Sequence, residues 1–181
     1  RGTVRWIDER HGAPPLSLTD VRFVARNSGY RHELRLDATP PAGWGDRFEV
    51  AGQFRQPLLS VRGGNWQRWN GTLYAMLPRV DVAQLGQYVA LDARIREADG
   101  ALRAWVDVQD GRPVGGALDL GLAGVNAVLG DKLEPLVLRQ VTGRLAGHSA
   151  DAAFEFSTQA LKFTTGDGVS WPGGNFWFRR A

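Results

Sequence analysis

The side chains able to do chemistry are few and far apart. His11, His32 and His148 are the only histidines, and none has a second His or a Cys at metal-ligand spacing. With no cysteine in the chain, disulfides, thiolate metal sites and a Cys nucleophile are excluded. No Gly-x-Ser-x-Gly elbow and no phosphate loop ending in Gly-Lys-Ser/Thr occurs. The glycines at 115, 116, 121 and 124 do not make a dinucleotide fingerprint. Asp8-Glu9 would serve glycoside hydrolysis only if folding paired two carboxylates, and otherwise reads as solvated turn charge. Neither a catalytic constellation nor a cofactor motif emerges, so the expectation is a non-enzyme without cofactor or metal.

What stands out instead is aromatic. Seven tryptophans (Trp6, Trp44, Trp66, Trp69, Trp105, Trp171, Trp177) are many for 181 residues. Flat indoles on a sheet can stack on sugar rings, or they can fill a core, since Trp buries a large area while its N–H reaches polar atoms. Trp105 falls with Arg103 and Asp107 on the charged side of its strand, opposite Leu102, Ala104, Val106 and Val108. Some of the outer surface is therefore covered or adhesive.

Elements that would position these groups are strands. Period-two alternation marks strands buried on one face. It runs through 33–37 (Glu-Leu-Arg-Leu-Asp), 47–55, 102–108, 118–122, 154–156 and 161–163. Turn signals separate them at Asn27-Ser28-Gly29, Pro40-Pro41-Ala42-Gly43, Asp99-Gly100, Asp110-Gly111 and Gly166-Asp167-Gly168. Asp99-Gly100 and Asp110-Gly111 suit tight hairpins. The pattern predicts a mainly β fold, a twisted antiparallel sheet of ten to twelve strands. One short helix is expected over 81–88, with Asp81 as N-cap, Gln84 in the capping-box position, and Val82, Leu85 and Val89 on one face. A further turn is expected over 125–129.

Charge supports no nucleic-acid role. The 22 basic residues nearly balance 19 acidic ones, and all but Lys132 and Lys162 are arginine. Arg22, Arg35, Arg47, Arg55, Arg103, Arg139 and Arg144 are spread one or two per strand, whereas nucleic-acid binding needs a clustered patch. No apolar run approaches the length of a membrane helix. Opening on Arg1-Gly2-Thr3-Val4-Arg5-Trp6, already strand-like and without Met, the chain reads as one segment (1–181) excised from a longer protein. Pro15-Leu16-Ser17-Leu18 with Val21 echoes Pro135-Leu136-Val137-Leu138 with Val141, and the same offset carries Leu34 and Leu36 onto Phe154 and Phe156. A repeated strand unit, 15–36 and 135–156, is the expectation.

The run 65–74, Asn-Trp-Gln-Arg-Trp-Asn-Gly-Thr-Leu-Tyr, followed by Asp81 and Leu85, resembles the YhdP family of AsmA-like proteins of Gram-negative bacteria. The stretches 2–8, 16–21, 32–36, 100–105 and 136–143 fit it, as do Pro40-Pro41 before Trp44-Gly45 and the pair Trp171-Pro172. The resemblance implies a slice of a long periplasmic protein anchored in the inner membrane, implicated in moving phospholipid toward the outer membrane. It also implies twisted sheets forming an open groove or curved half-barrel, with phospholipid acyl chains and neighbouring β segments of the same chain as partners. It brings no catalytic residues.

Alternation supplies the candidate lining: Leu34, Leu36, Phe48, Val50, Phe54, Leu118, Leu120, Leu122, Phe154, Phe156, Leu161 and Phe163. Left bare, such a strip far exceeds the roughly 300–600 Å² usual for the largest patch of a soluble monomer, so a second sheet, a neighbouring segment or lipid must cover it. A closed β-sandwich would give the same alternation. Three functional classes stay open: a lipid-conducting segment, a carbohydrate-binding sandwich using exposed tryptophans, and a protein-interaction scaffold.

Overall fold

A computed structural model describes residues 2–8, 13–57, 66–88, 93–130, 132–150 and 153–180. His11, Glu9 and Val89 lie outside them. The chain forms one antiparallel sheet of eleven strands. In order these are β1 (Gly2–Asp8), β2 (Ala13–Ser28), β3 (Arg31–Thr39), β4 (Phe48–Arg55), β5 (Asn70–Asp81), β6 (Arg94–Gln109), β7 (Arg112–Val128), β8 (Leu136–Ala150), β9 (Ala153–Thr165), β10 (Ser170–Gly174) and β11 (Trp177–Arg180). The first ten pair in chain order, each with the next, and β11 returns to β9. β10 takes the Leu161–Thr164 half of that edge and β11 the Phe154–Ser157 half. The two edges, β1 and β10/β11, stay apart, so the sheet is open.

Turn chemistry explains part of this meander. Asp110 (φ 48°) and Gly111 (φ 68°) both take positive φ between β6 and β7, the two-residue geometry whose twist matches that of paired strands. The other Asp-Gly pair behaves differently. Asp99 and Gly100 lie within β6, which continues to Gln109, so the hairpin expected there does not form. Gly100 sits beside a register shift, where a Cβ would collide with the Gly121 carbonyl. The helical turn expected over 125–129 is also absent, because Val125 to Val128 complete β7. A short apolar run suits either element, and pairing with β6 and β8 decides it.

The expected helix is one turn, α1 (Val82–Leu85). The Asp81 carboxylate accepts from Gln84 N at 3.1 Å. Gln84 does not complete the capping box; its side chain accepts from Gln87, and Asp81 N donates instead to the Trp44 carbonyl at 2.7 Å. The small core lies where α1 meets the sheet: Val82 of α1 with Val80, Ala98, Val125, Ala127 and Leu138, flanked by residues that include Leu85, Leu102, Leu122, Val141 and Phe163. Among the described residues no large side chain is fully buried. Two packed sheets would bury several, so the closed-sandwich alternative is set aside.

The echoing stretches fall on the hairpins β2–β3 and β8–β9. Their registers differ: Leu34 pairs with Ala25, whereas Phe154 pairs with Ser149.

Candidate functional site

Directly paired residues of an antiparallel ladder share a face, so the register fixes what each side of the sheet presents. One row runs Ala25–Leu34–Gly52–Leu73–Val106–Gly116–Gly147–Phe156–Phe178 across nine strands. The next runs Phe23–Leu36–Val50–Ala75–Ala104–Leu118–Leu145–Thr158. A third includes Leu77–Leu102–Leu120–Gly143. Phe48 joins this face through Ala38, Phe54 through His32, and Phe154 through Ser149. Leu122 and Phe163 join it through Val141, and Leu161 lies two residues before Phe163. All twelve residues expected from alternation therefore stand on one side. None is buried: eleven are partly exposed and Phe154 is exposed at 45%.

Two structures border this face along the strand direction. On one side α1 lays Val82 and Leu85 over the core. On the other, Trp69 stacks on His32 with ring centroids 4.0 Å apart and meets Phe54 at 5.6 Å. Trp69 is held there by its own backbone and by both neighbours in sequence. A single 3-10 turn (Trp66–Arg68) precedes it, the Trp69 carbonyl accepts from Gly111 N at 2.9 Å, and Asn70 Oδ1 accepts from Asp110 N at 2.7 Å. His32 is buried, and its Nδ1 lies 2.9 Å from Asn27 Oδ1.

The opposite face is a charge ladder. Arg22–Asp37–Glu49–Met76–Arg103–Asp119–Arg144–Gln159 are consecutive register partners, which places opposite charges across several strand pairs. Arg144 donates to both Asp119 oxygens, at 2.5 and 2.9 Å, and its guanidinium lies 5.0 Å from the centre of the Trp105 ring. Hydrogen bonding from Arg144 lowers the Asp119 carboxyl below its usual range, and the same pairing raises Arg144. Arg35 acts likewise on Asp37, chiefly by its hydrogen bond. Trp105 is indeed on this charged side, and Tyr74, its register partner, covers it from a centroid distance of 5.4 Å.

The other tryptophans are dispersed. Trp44 packs on Tyr88, Trp171 on Phe163 and Phe176, while Trp6, Trp66 and Trp177 are exposed. Among the described residues no two indoles touch, and no His, Asp and Glu group could hold a metal.

Sequence reasoning missed part of the apolar face, notably Leu73, Leu77 and Leu145. In β5 the run Leu73-Tyr74-Ala75-Met76-Leu77 is apolar on both faces, so alternation is invisible there until the register assigns each side chain. Nothing in the sequence pointed to the His32–Trp69 stack, which joins β3 to the residue just before β5, across β4.

No curated protein and no solved structure matches the chain. The YhdP protein family does, over residues 2–181, so every strand of the sheet just described, both faces included, belongs to the matched region. The chain is a member of the YhdP protein family.

Proposed function

We propose that this chain is a lipid-conducting segment, a stretch of apolar sheet along which phospholipid acyl chains pass toward the outer membrane. The observation carrying this reading is the uncovered apolar face, continuous over nine strands and bordered by α1 and by the Trp69–His32 stack. At about 4.8 Å per strand the row from β2 to β11 extends roughly 40 Å, and its side chains offer contact without directional hydrogen bonds.

Energetics favour such a surface. An exposed methylene costs roughly 0.8 kcal/mol, so a sixteen-carbon chain crossing water faces a barrier on the order of 10 kcal/mol. Laying one flank of the chain on Leu, Val and Phe removes a large part of that barrier. The charged opposite face keeps the sheet hydrated. Family membership supports an AsmA-like role in lipid transport, and in this reading the segment is the periplasmic part of an inner-membrane-anchored protein. Among the described residues no helix is long and apolar enough to cross a membrane. The open edges β1 and β10/β11 would pair with neighbouring β segments of the same chain.

The test is native mass spectrometry of the gently purified chain, followed by lipid extraction. Phospholipid is expected with the wild type and not with a folded Leu36→Asp/Phe48→Asp/Phe156→Asp variant. A lipid-free wild type, or equal lipid in both proteins, would sink the reading. Photo-crosslinkers at Phe48 and Phe154 should label lipid; labelling of protein alone would favour a scaffold.

A further inference from the structure

The charged face carries a second feature that lipid transport does not use. Across β6 to β11, the row Trp105–Ala117–Ala146–Ser157–Trp177 replaces large side chains by three small ones between two indoles. Beside it runs the row Asp107–Gly115–His148–Glu155–Arg179. A Cβ at Gly115 would lie 2.7 Å from His148 Nδ1, so the imidazole leans over that glycine toward Asp107. The two rows bound a depression of about 260 Å³ whose lining includes Asp107, Ala146, His148, Glu155, Ser157 and Trp177. Trp177 is 66% exposed, the most exposed of the large apolar side chains among the described residues.

We propose that this depression binds a neutral pyranose glycan, with Trp177 as the stacking platform. An indole face carries the negative lobe of the ring quadrupole. The axial C–H groups of a pyranose are its weakly positive complement. Asp107 and Glu155 accept from sugar hydroxyls, while His148 and Ser157 offer both donors and acceptors. Two of the carboxylates here are matched by arginines, Glu155 by Arg179 at 3.4 Å and Asp119 by Arg144 next to the floor, so Asp107 supplies the one excess charge of the lining. An uncharged, many-hydroxyl ligand suits that balance better than an anion or a nucleic acid, and its hydroxyls can donate to Asp107. A protein partner would want further large apolar side chains around Trp177, whereas its row neighbours on this face are Ser157, Ala146 and Ala117.

The experiment titrates the 181-residue chain with tetra-N-acetylchitotetraose and with cellotetraose. Indole N–H resonances are followed by NMR and affinity by calorimetry. The expected result is a millimolar dissociation constant for at least one sugar, with the Trp177 indole resonance moving. Trp177→Ala should weaken binding about tenfold, the loss of one aromatic stack, and Glu155→Gln a few-fold. Trp6→Ala, which alters an exposed indole on the far edge strand, should leave affinity unchanged. Because Trp177 is exposed, its variant is expected to keep the wild-type far-UV spectrum. No movement of the Trp177 resonance at millimolar sugar, or equal affinity in wild type and Trp177→Ala, would overturn the proposal. Lipid retention is read separately, so this site can fail while the apolar face stands, and the reverse.

Discussion

Leu118 and Val125 lie on the same strand, β7, and separate an open apolar face from a core. Leu118 pairs with Ala104 and Leu145 in the middle of the uncovered face and is partly exposed. Val125 belongs to the cluster where α1 meets the sheet and is 8% exposed. Replacing each by aspartate poses the same chemical change in two environments. At Val125 the carboxylate is taken out of water without a partner, a change costing about 3–5 kcal/mol, which threatens a fold of ordinary stability. At Leu118 water reaches the new carboxylate in the lipid-free protein, so the cost is mainly lost apolar contact, about 1–2 kcal/mol. On the proposed lipid route the ranking of effects reverses. An acyl chain on this face must strip water from the introduced carboxylate, so Leu118→Asp should lose on the order of 3 kcal/mol of lipid affinity, roughly a hundredfold. Urea unfolding followed by circular dichroism gives the stabilities, and displacement of a fluorescent acyl probe gives the affinities. Equal unfolding by both substitutions would refute the open face. A stable Leu118→Asp protein with undiminished lipid affinity would refute the route.

Two further outcomes follow from the geometry. Gly111→Ala places a Cβ 2.7 Å from Gln67 Cα and 2.8 Å from the Trp66 carbonyl at φ 68°, and should cost about 2 kcal/mol in urea unfolding; Gly121→Ala, with nothing within 4 Å, is the control and should be neutral or stabilise by up to about 1 kcal/mol. The Asp119 carboxyl is lowered in the folded chain by Arg144, so its stabilisation is present above the unfolded carboxylate range and fades as pH falls through the lowered value, below about pH 4. Both side chains are more than a third exposed, so solvent screening keeps the effect on stability small; in Arg144→Gln the Asp119 midpoint, read by carbon NMR, should rise toward the ordinary value, and an unchanged midpoint would show that the pairing does not set it.

The sequence alone determined the strand class, the twelve residues of one apolar face, the Asp81 cap and the Asp110-Gly111 turn. These are local properties: the pleat alternates every residue, and cap and turn are closed by atoms a few positions away. It could not decide between the two uses of an Asp-Gly pair, because glycine serves a tight turn and a strand distortion equally well; only pairing with β7 kept 99–100 within β6. It could not place the Leu73–Leu77 run, apolar on both sides. Nor could it join Trp69 to His32, or line up Ala117, Ala146, Ser157 and Trp177, because such rows run across strands and exist only once the register is set. Above all, alternation says which side chains share a face and nothing about what covers it. That the apolar face lies open beside a single helical turn, with no second sheet upon it among the described residues, was decided by tertiary structure, since the cover of a sheet is a contact between elements and not a property of any strand.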